Sequence, residues 1–385
     1  MSKPKQQPAA TGKPGPKVAH SKRANQRSKA EHSVFQPHAA GIDMGAREIY
    51  VAVPADREDP PVRQCDTFTG DLRQMAEWLV HCGITTAAME STSVYWIPVY
   101  DVLEQHGIQP CLVHPRNRKN VPGKRTDFHE CQWIQHLHSM GLLHSAFRPE
   151  GEVCAVRSLM RHRNDLVEMA SQHVQHRQKA LTQMNVQFQP VISDITGLTG
   201  LAILDAIVAG ERDPAVLARL RDPRIKASEE TIRKSLEGNW RGEHIWALKQ
   251  RLSLYRSDRD QINDCDQEIE RLVAAFEPKV DPEERPLPED RKQKQRRRRK
   301  KSGNPDFDMR TEAYRLFGVD LTQVPGLMML VFMLFSEVGR DMSRWPTAGH
   351  FVSWLGLCPD NDISGGRVLW RGGRRTKNRA GTLFR

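Results

Sequence analysis

Four acidic residues in the first third of the chain, Asp43, Glu90, Asp127 and Glu130, have the type and placement to hold a hard divalent cation. Mg²⁺ prefers carboxylate oxygens, and several carboxylates converging on one point repel each other unless a cation neutralises them. Asp127 and Glu130 stand three apart at a predicted helix start, so their side chains share a face. Carboxylates gathered in this way serve metal-dependent cleavage of phosphodiesters. Each also has an ordinary explanation: Asp43 precedes a Gly-containing turn, and Asp127 and Glu130 are acids that a helix N-terminus favours. Convergence is what separates the two readings.

A second constellation lies near the other end, in DISGGRVLWRGGRRTKNR, where Ser364 precedes Gly365 and Gly366 and is followed by Arg367, Arg371, Arg374, Arg375, Lys377 and Arg379. A Ser before two glycines is ordinarily a turn. Among these cations it is also a candidate nucleophile, because guanidinium groups stabilise the charge of a phosphoryl transition state. A third set, His129, Cys131, His136 and His138, has the residue types for zinc, but its spacings scatter the groups over different faces of one helix.

The elements that must position the acids read as mixed α/β. HAAGIDMGAREIYVAVP is two adjacent strands, with Asp43 ending the first, and a third strand follows near Arg63 to Phe68. A helix from Asp71 to His81, a strand from Thr85 to Glu90, a helix from Tyr95 to His106 and a strand from Gln109 to His114 come next. After the basic loop HPRNRKNVPGKRTD a last helix starts near Asp127. Three leading strands, then alternating strand and helix, is the order expected of an RNase H-like sheet, which other α/β sheets can imitate; in that fold the fourth strand lies beside the first and brings Glu90 next to Asp43. Arg116, Arg118, Lys119, Lys124 and Arg125 in the loop, with Arg367, Arg371, Arg374, Arg375 and Lys377 later, are the candidate phosphate contacts.

Composition and punctuation divide the rest. Residues 1–36 are a polar, basic arm that cannot bury a core; 37–148 form the acid-bearing α/β domain. Two apolar stripes at alternating three and four spacing, Val153 to Phe188 and Ile245 to Phe276, bracket a shorter helical insert, so 149–277 is a coiled-coil-like region, an antiparallel hairpin or a self-association arm, with ordinary bundle helices as the alternative. Residues 278–306 carry Pro278, Pro282, Pro286 and Pro288 and then RKQKQRRRRKK, the signature of an extended basic linker. Residues 307–385 form a small, mainly helical domain bearing Ser364; its VPGLMML opening is similar to a helix-hairpin-helix turn, with Pro325 and Gly326 before an apolar helix.

The chain carries 58 Lys+Arg against 47 Asp+Glu, a formal charge of +11, which favours a polyanionic partner. Its 7 cysteines are scattered without a C-x-x-C pair, which fits a reducing cytosol better than a disulfide framework. The opening segment is no secretory signal, and the apolar run Leu327 to Phe335 falls short of the roughly 20 residues of a membrane helix.

Four blocks, GIDMGAREIYVAV, AAMESTSVYWIPVYDVLEQHGIQPCLVHPRNRKNVPGKRTDFHECQWIQHLHSMGLL, VPGLMMLVFMLFSEVG and FVSWLGLCPDNDISGGRVLWRGGRRTKNRAG, resemble, in order, those of the IS-one-ten transposases, in the branch of insertion sequence eleven-eleven. The resemblance implies a RuvC-like domain with a DEDD acid set and a C-terminal serine domain. Asp43, Glu90 and Asp127 then correspond to metal ligands for Mg²⁺, with Mn²⁺ as a substitute, and Ser364 to the nucleophile; Glu130 stands where the family usually has Asp. It further implies recombination of DNA element ends and target through a serine–phosphate link, guidance by a structured bridge RNA, assembly as a homo-oligomer, and a bacterial, cytoplasmic, nucleoid-associated location. Relatives usually continue with helical sequence past the position of Arg385, so a shortened C-terminal domain is expected. The alternatives are a junction-resolving RuvC-like nuclease that activates water, and a decayed nucleic-acid-binding remnant.

Overall fold

A computed structural model describes residues 34–91, 93–114, 127–288, 305, 307–324, 327–359, 361–372 and 378–384. The basic arm before residue 34, most of the Arg/Lys loop, the Arg-rich part of the linker and the Pro325–Gly326 turn lie outside these residues. The chain divides into two compact units, one ending at Phe147 and one beginning at Arg148.

The first unit is a five-stranded sheet in the order β3-β2-β1-β4-β5, built from β1 (Ala39–Met44), β2 (Glu48–Ala52), β3 (Val62–Asp66), β4 (Thr86–Glu90) and β5 (Gln109–Val113). β1 pairs antiparallel with β2 and parallel with β4, and β4 pairs parallel with β5. This mixed α/β sheet is consistent with an RNase H-like fold. β1 is central and has both faces covered, which is why it reads as a short apolar run without alternation. On one face Ala40, Ile42, Ala87 and Met89 pack against α1 (Thr69–His81) and α2 (Trp96–Gln105), whose Leu72, Met75, Ala76, Leu79, Val99 and Leu103 are buried at helical spacing. Each fully buried Leu or Met there stabilises the unit by about 1.5–3 kcal/mol. The other face receives α3 (Asp127–Ser139), with Ile134 against Ala88, Cys111 and Val113.

The second unit is helical. α4 (Gly151–Gln183) and α8 (Gly242–Ala274) are each 33 residues long and run antiparallel along each other, as the pairings Arg163 with Asp266 and Arg177 with Tyr255 require. The first apolar stripe outlasts its helix: α4 stops at Gln183, Asn185 takes a positive φ of 55°, and Met184 and Phe188 continue as buried loop residues. They fill the core of the insert formed by α5 (Leu198–Ala209), α6 (Pro214–Arg219) and α7 (Glu229–Ser235). At the opposite end Val153, Val156, Met160, Ile269 and Val273 share one core with α9 (Met309–Phe317) and α10 (Leu327–Val338). The helical pair and the helices after the linker are therefore parts of one packed body. α11 (Ala348–Trp354), the hairpin of β6 (Asp362–Ser364) and β7 (Arg367–Trp370), and α12 (Arg379–Thr382) complete it. No helix among the described residues is long and apolar enough to cross a membrane.

Arg163 and Arg177, which interrupt the first stripe in sequence, lie inside the helix pair. Arg163 donates through Nε to Asp266 at 2.5 Å, with the two side chains 1% and 4% exposed. Arg177 is wholly buried with its guanidinium 4.2 Å from the centre of the Tyr255 ring, and burial holds its pKa below the ordinary arginine value. Replacing Asp266 with Ala strands the Arg163 charge and is expected to cost about 3–5 kcal/mol in urea unfolding, whereas the double change Arg163→Met with Asp266→Leu recovers most of that loss.

Candidate active site

The geometry of the acids starts from a glycine. Along β1, Ala39, Gly41 and Asp43 point to the face that α3 covers, while Ala40 and Ile42 point to the opposite core. At Gly41 the backbone of α3 lies directly on the strand: a Cβ there would overlap the Gln135 amide nitrogen and the Cys131 carbonyl oxygen. α3 is then pinned in register. Gln135 Nε2 donates to the Ala39 carbonyl at 3.2 Å, and the His138 Nε2 and Thr86 Oγ1 atoms stand 2.9 Å apart in a hydrogen bond. The contacts Gln135–Ala39 and His138–Thr86 sit toward the C-terminal end of the helix, so its first turn, with Asp127 and Glu130, extends toward the Asp43 end of the sheet.

Glu90 reaches the same region by register. Ile42 of β1 is opposite Met89 of β4, so Asp43 and Glu90 are the next residues along two neighbouring parallel strands. Ala88, two residues before Glu90, packs with Ile134 of α3, which places Glu90 on the α3 face as well. Asp127 approaches from the helix. The Cys131 thiol, wholly buried beneath α3, is pushed up to about 12, first by burial, and the charges of Asp43 and Asp127 both add to the shift. Tyr50, opposite Asp43 in the ladder, is raised first by desolvation and by Glu48, and Asp127 contributes there too. Both aspartates therefore lie within electrostatic reach of Cys131, where α3 meets β1. Glu130, half-buried, follows Asp127 on the same turn.

These donors are all hard carboxylate oxygens on one face, which suits Mg²⁺ or Mn²⁺ in kind. Among the described residues, no three His, Cys, Asp or Glu groups come close enough together to hold a metal ion. Carboxylates gathered on one face favour positive charge between them, and a hard divalent cation is of the kind that would supply it. The His/Cys set is dispersed: Cys131 donates to the Phe128 carbonyl at 3.1 Å under the helix, His138 is buried on Thr86, and His129 and His136 are exposed. Cys131, Gln135, His138 and Gly41 are the residues that sequence reasoning missed as supports. The only available signal was their position on the apolar side of α3 and β1.

Ser364 ends β6 in the second unit. It is exposed, and its backbone partner in the ladder is Arg367. Between them Gly365 and Gly366 adopt φ values of 56° and 77°, both in the left-handed region that two-residue hairpin turns require and that glycine adopts without strain. The Ser-Gly-Gly segment is thus a turn that leaves Ser364 exposed, with Arg367 as its ladder partner. Asn378 ties the base of this excursion: its side-chain Nδ2 donates to the Trp354 carbonyl at 3.1 Å, and its Oδ1 caps α12 by accepting from Ala380 N at 3.0 Å. Deeper in the unit, Glu337 of α10 is 7% exposed and binds Arg161 through both carboxylate oxygens at 2.9–3.0 Å and Arg157 at 2.9 Å, with Arg379 of α12 at 3.8 Å. One carboxylate thereby holds α4, α10 and α12 together. Arg371 is exposed on the strand exit; Arg374, Arg375 and Lys377, like Arg116, Arg118, Lys119, Lys124 and Arg125, lie outside the described residues.

Two family models match the chain. Residues 40–186 match one described as Transposase, of the DEDD type of IS110, and residues 320–381 match one described as Transposase IS116/IS110/IS902 family. The first span contains all four acids and the second contains Ser364. No curated protein matches the chain.

Two measurements test the supports. Gly41→Ala forces α3 off β1 and is expected to destabilise the first unit by about 1–3 kcal/mol and to weaken Mn²⁺ binding in calorimetry. Gly70→Ala in α1, where a Cβ meets nothing within 4 Å, leaves both unchanged or gains slightly. The second concerns His138, whose imidazole is pushed down to about 4 by burial. Its folded pKa lies below the unfolded value of about 6.5, so the unfolded chain binds the proton first as pH falls. Stability is full above that unfolded value and drops by about 2 kcal/mol between pH 7 and pH 5. Hydrogen-exchange protection of β1 and β4 amides should show the drop, and His138→Gln should remove it.

Proposed function

From the premise that the chain carries IS110-family transposase domains and is a DNA transposase or recombinase, we propose that it cleaves and joins DNA through Ser364, with Asp43, Glu90, Asp127 and Glu130 holding Mg²⁺. The observation that supports this most directly is the convergence of Asp43, Glu90 and Asp127, which lie far apart in sequence, on one face of the sheet where α3 meets β1. When bound, the cation supplies charge stabilisation at the phosphate undergoing exchange.

The residues of the chain divide the remaining work. Gly41, Gln135 and His138 keep the helix bearing Asp127 and Glu130 on the strand bearing Asp43. The glycine turn exposes Ser364 and sets Arg367 across from it, where the guanidinium meets a phosphate oxygen. The Ser364 Oγ attacks phosphorus, the new Oγ–P bond replaces a P–O bond of the DNA backbone, and the departing deoxyribose oxygen takes up the proton lost by the hydroxyl. Reversal by the hydroxyl of another strand completes exchange. Acids and serine belong to different units of the chain, which accords with their contribution by different copies in a homo-oligomer. Guidance by a structured RNA is part of this reading, supported by the sequence resemblance and by the excess of Lys and Arg.

The decisive measurement is a denaturing gel of end-labelled DNA incubated with the protein, Mg²⁺ and RNA transcribed from the flanking sequence. A protein–DNA adduct is expected with the native chain and none with Ser364→Ala, while DNA binding stays within about two-fold, since one hydroxyl is removed from an exposed turn. Asp43→Asn should abolish both adduct and cleavage and leave folding intact, because it relieves repulsion among clustered carboxylates. Cleavage without adduct, insensitive to Ser364→Ala, would instead assign the acids to a nuclease that activates water.

A further inference from the structure

The β6–β7 hairpin contains an irregularity that changes which side chains stand beside Ser364. Ser364 is opposite Arg367 and Ile363 is opposite Val368, but Asp362 is opposite Trp370, so Leu369 is an extra residue in β7. In an unbroken ladder Trp370 would share the face of Val368, two positions away. The bulge shifts the register by one and brings Trp370 to the face of Ser364 and Arg367, the kind of re-aiming that β-bulges perform next to reactive groups. Two strand residues separate its ladder position from that of Ser364, about 6.6 Å.

Nothing within the described residues covers this face. Trp370 is 54% exposed and Leu369 66%, and on the other face Ile363 is 59% exposed. A two-stranded hairpin open on both sides is marginal in water, so this one is built to be completed by a partner. The charge identifies the partner's chemistry. No Asp or Glu occurs after Asp362, while Arg367, Arg371, Arg374, Arg375, Lys377 and Arg379 follow. An exposed indole in a strand that runs on into six cations and no further acid, with Asp362 as its one acidic ladder partner, matches a nucleic-acid strand, whose phosphates take cations and whose bases take the ring. Gly372 supports the ring from below: a Cβ at that position would overlap the six-membered edge of the Trp370 indole, so the absence of a side chain lets the ring lie on the backbone with its other face open.

We propose that Trp370 is a stacking platform for an unpaired base of the DNA strand whose phosphate is presented to Ser364. The separation of about 6.6 Å corresponds to roughly two stacked nucleotides at about 3.4 Å each, so the base held is the neighbour, or next neighbour, of the phosphate attacked. Stacking there offsets the cost of drawing that nucleotide out of the duplex and fixes the strand along the hairpin. The proposal rests on the assignment of Ser364 as nucleophile for its placement, and on the bulge and the open indole for its substance.

The test uses the full chain and a fluorescein-labelled dT12 strand carrying one 5-iododeoxyuridine. Trp370→Ala is expected to weaken binding about ten-fold or more in fluorescence anisotropy without altering the salt dependence, whereas Trp370→Phe retains most of the affinity. Arg367→Gln lowers the salt dependence instead. Ultraviolet crosslinking should map to the peptide containing Trp370 and vanish in Trp370→Ala, and Gly372→Ala, which lifts the ring, should reduce it. Ser364→Ala leaves binding and crosslink as they are, so loss of the serine adduct with the crosslink intact would overturn only the nucleophile assignment. Unchanged affinity in Trp370→Ala, crosslinks confined to other peptides, or crosslinking with the RNA counterpart alone would overturn the platform.

Discussion

The contact of α3 with β1 at Gly41 is the constraint on which the acid-bearing unit depends. A helix packed on a sheet ordinarily stands about 10 Å away, held off by the side chains of both. Here the strand offers no side chain at the crossing, and the Cys131 carbonyl and Gln135 amide occupy the space that one would fill. Close approach puts the first turn of α3 within electrostatic reach of the end of β1. Asp43 and Asp127 consequently act on the same buried thiol, although 84 positions separate them in the chain. Gln135 and His138 then fix the helix against sliding, each by a hydrogen bond to the strand or to a side chain on its neighbour.

The two units handle charge in opposite ways. In the first, carboxylates from distant parts of the chain are brought to one face of the sheet, where their mutual repulsion favours positive charge. In the second, cations exceed acids, and several buried acids are paired with arginines. Glu337 binds Arg157 and Arg161 and lies near Arg379; Asp266 holds Arg163, and Asp320 accepts from Arg310 at 2.7 Å. Such pairs contribute little net stability over apolar replacements, but breaking one leaves a buried charge alone. Their effect is to permit one arrangement of α4, α10 and α12 and so to give the serine hairpin a fixed base.

Much of this was legible in the residues. Alternation in EIYVA, the apolar centre of AAGIDM and the helical spacing of Leu72, Met75 and Leu79 mark elements whose signal lies within a few neighbouring positions. The sheet order followed from the sequence of strands and helices, because parallel strands need crossover helices and such connections are restricted in hand. The hairpin around Ser364 was legible only as a turn. Strands of three and four residues are too short to show a period, and a one-residue bulge leaves no trace in composition. Glu337 was hidden for another reason: at the end of LMMLVFMLFSEV it reads as a solvent-facing acid, and its partners lie 176 and 180 positions earlier.

By itself, the sequence determined the types of the candidate groups, the strands and helices that carry them and the positive sign of the net charge, since these depend on local spacing and on summed charge. It also marked Ser364 and the four acids as residues worth placing. Tertiary structure alone decided that Asp43, Glu90 and Asp127 share a face, that Gly41 is what lets α3 lie directly on β1, and that Trp370 stands on the side of Ser364 and not behind it. Those outcomes turn on strand register and helix–strand distance, which are set by contacts between residues remote in the chain, and a shift of one position would have reversed them.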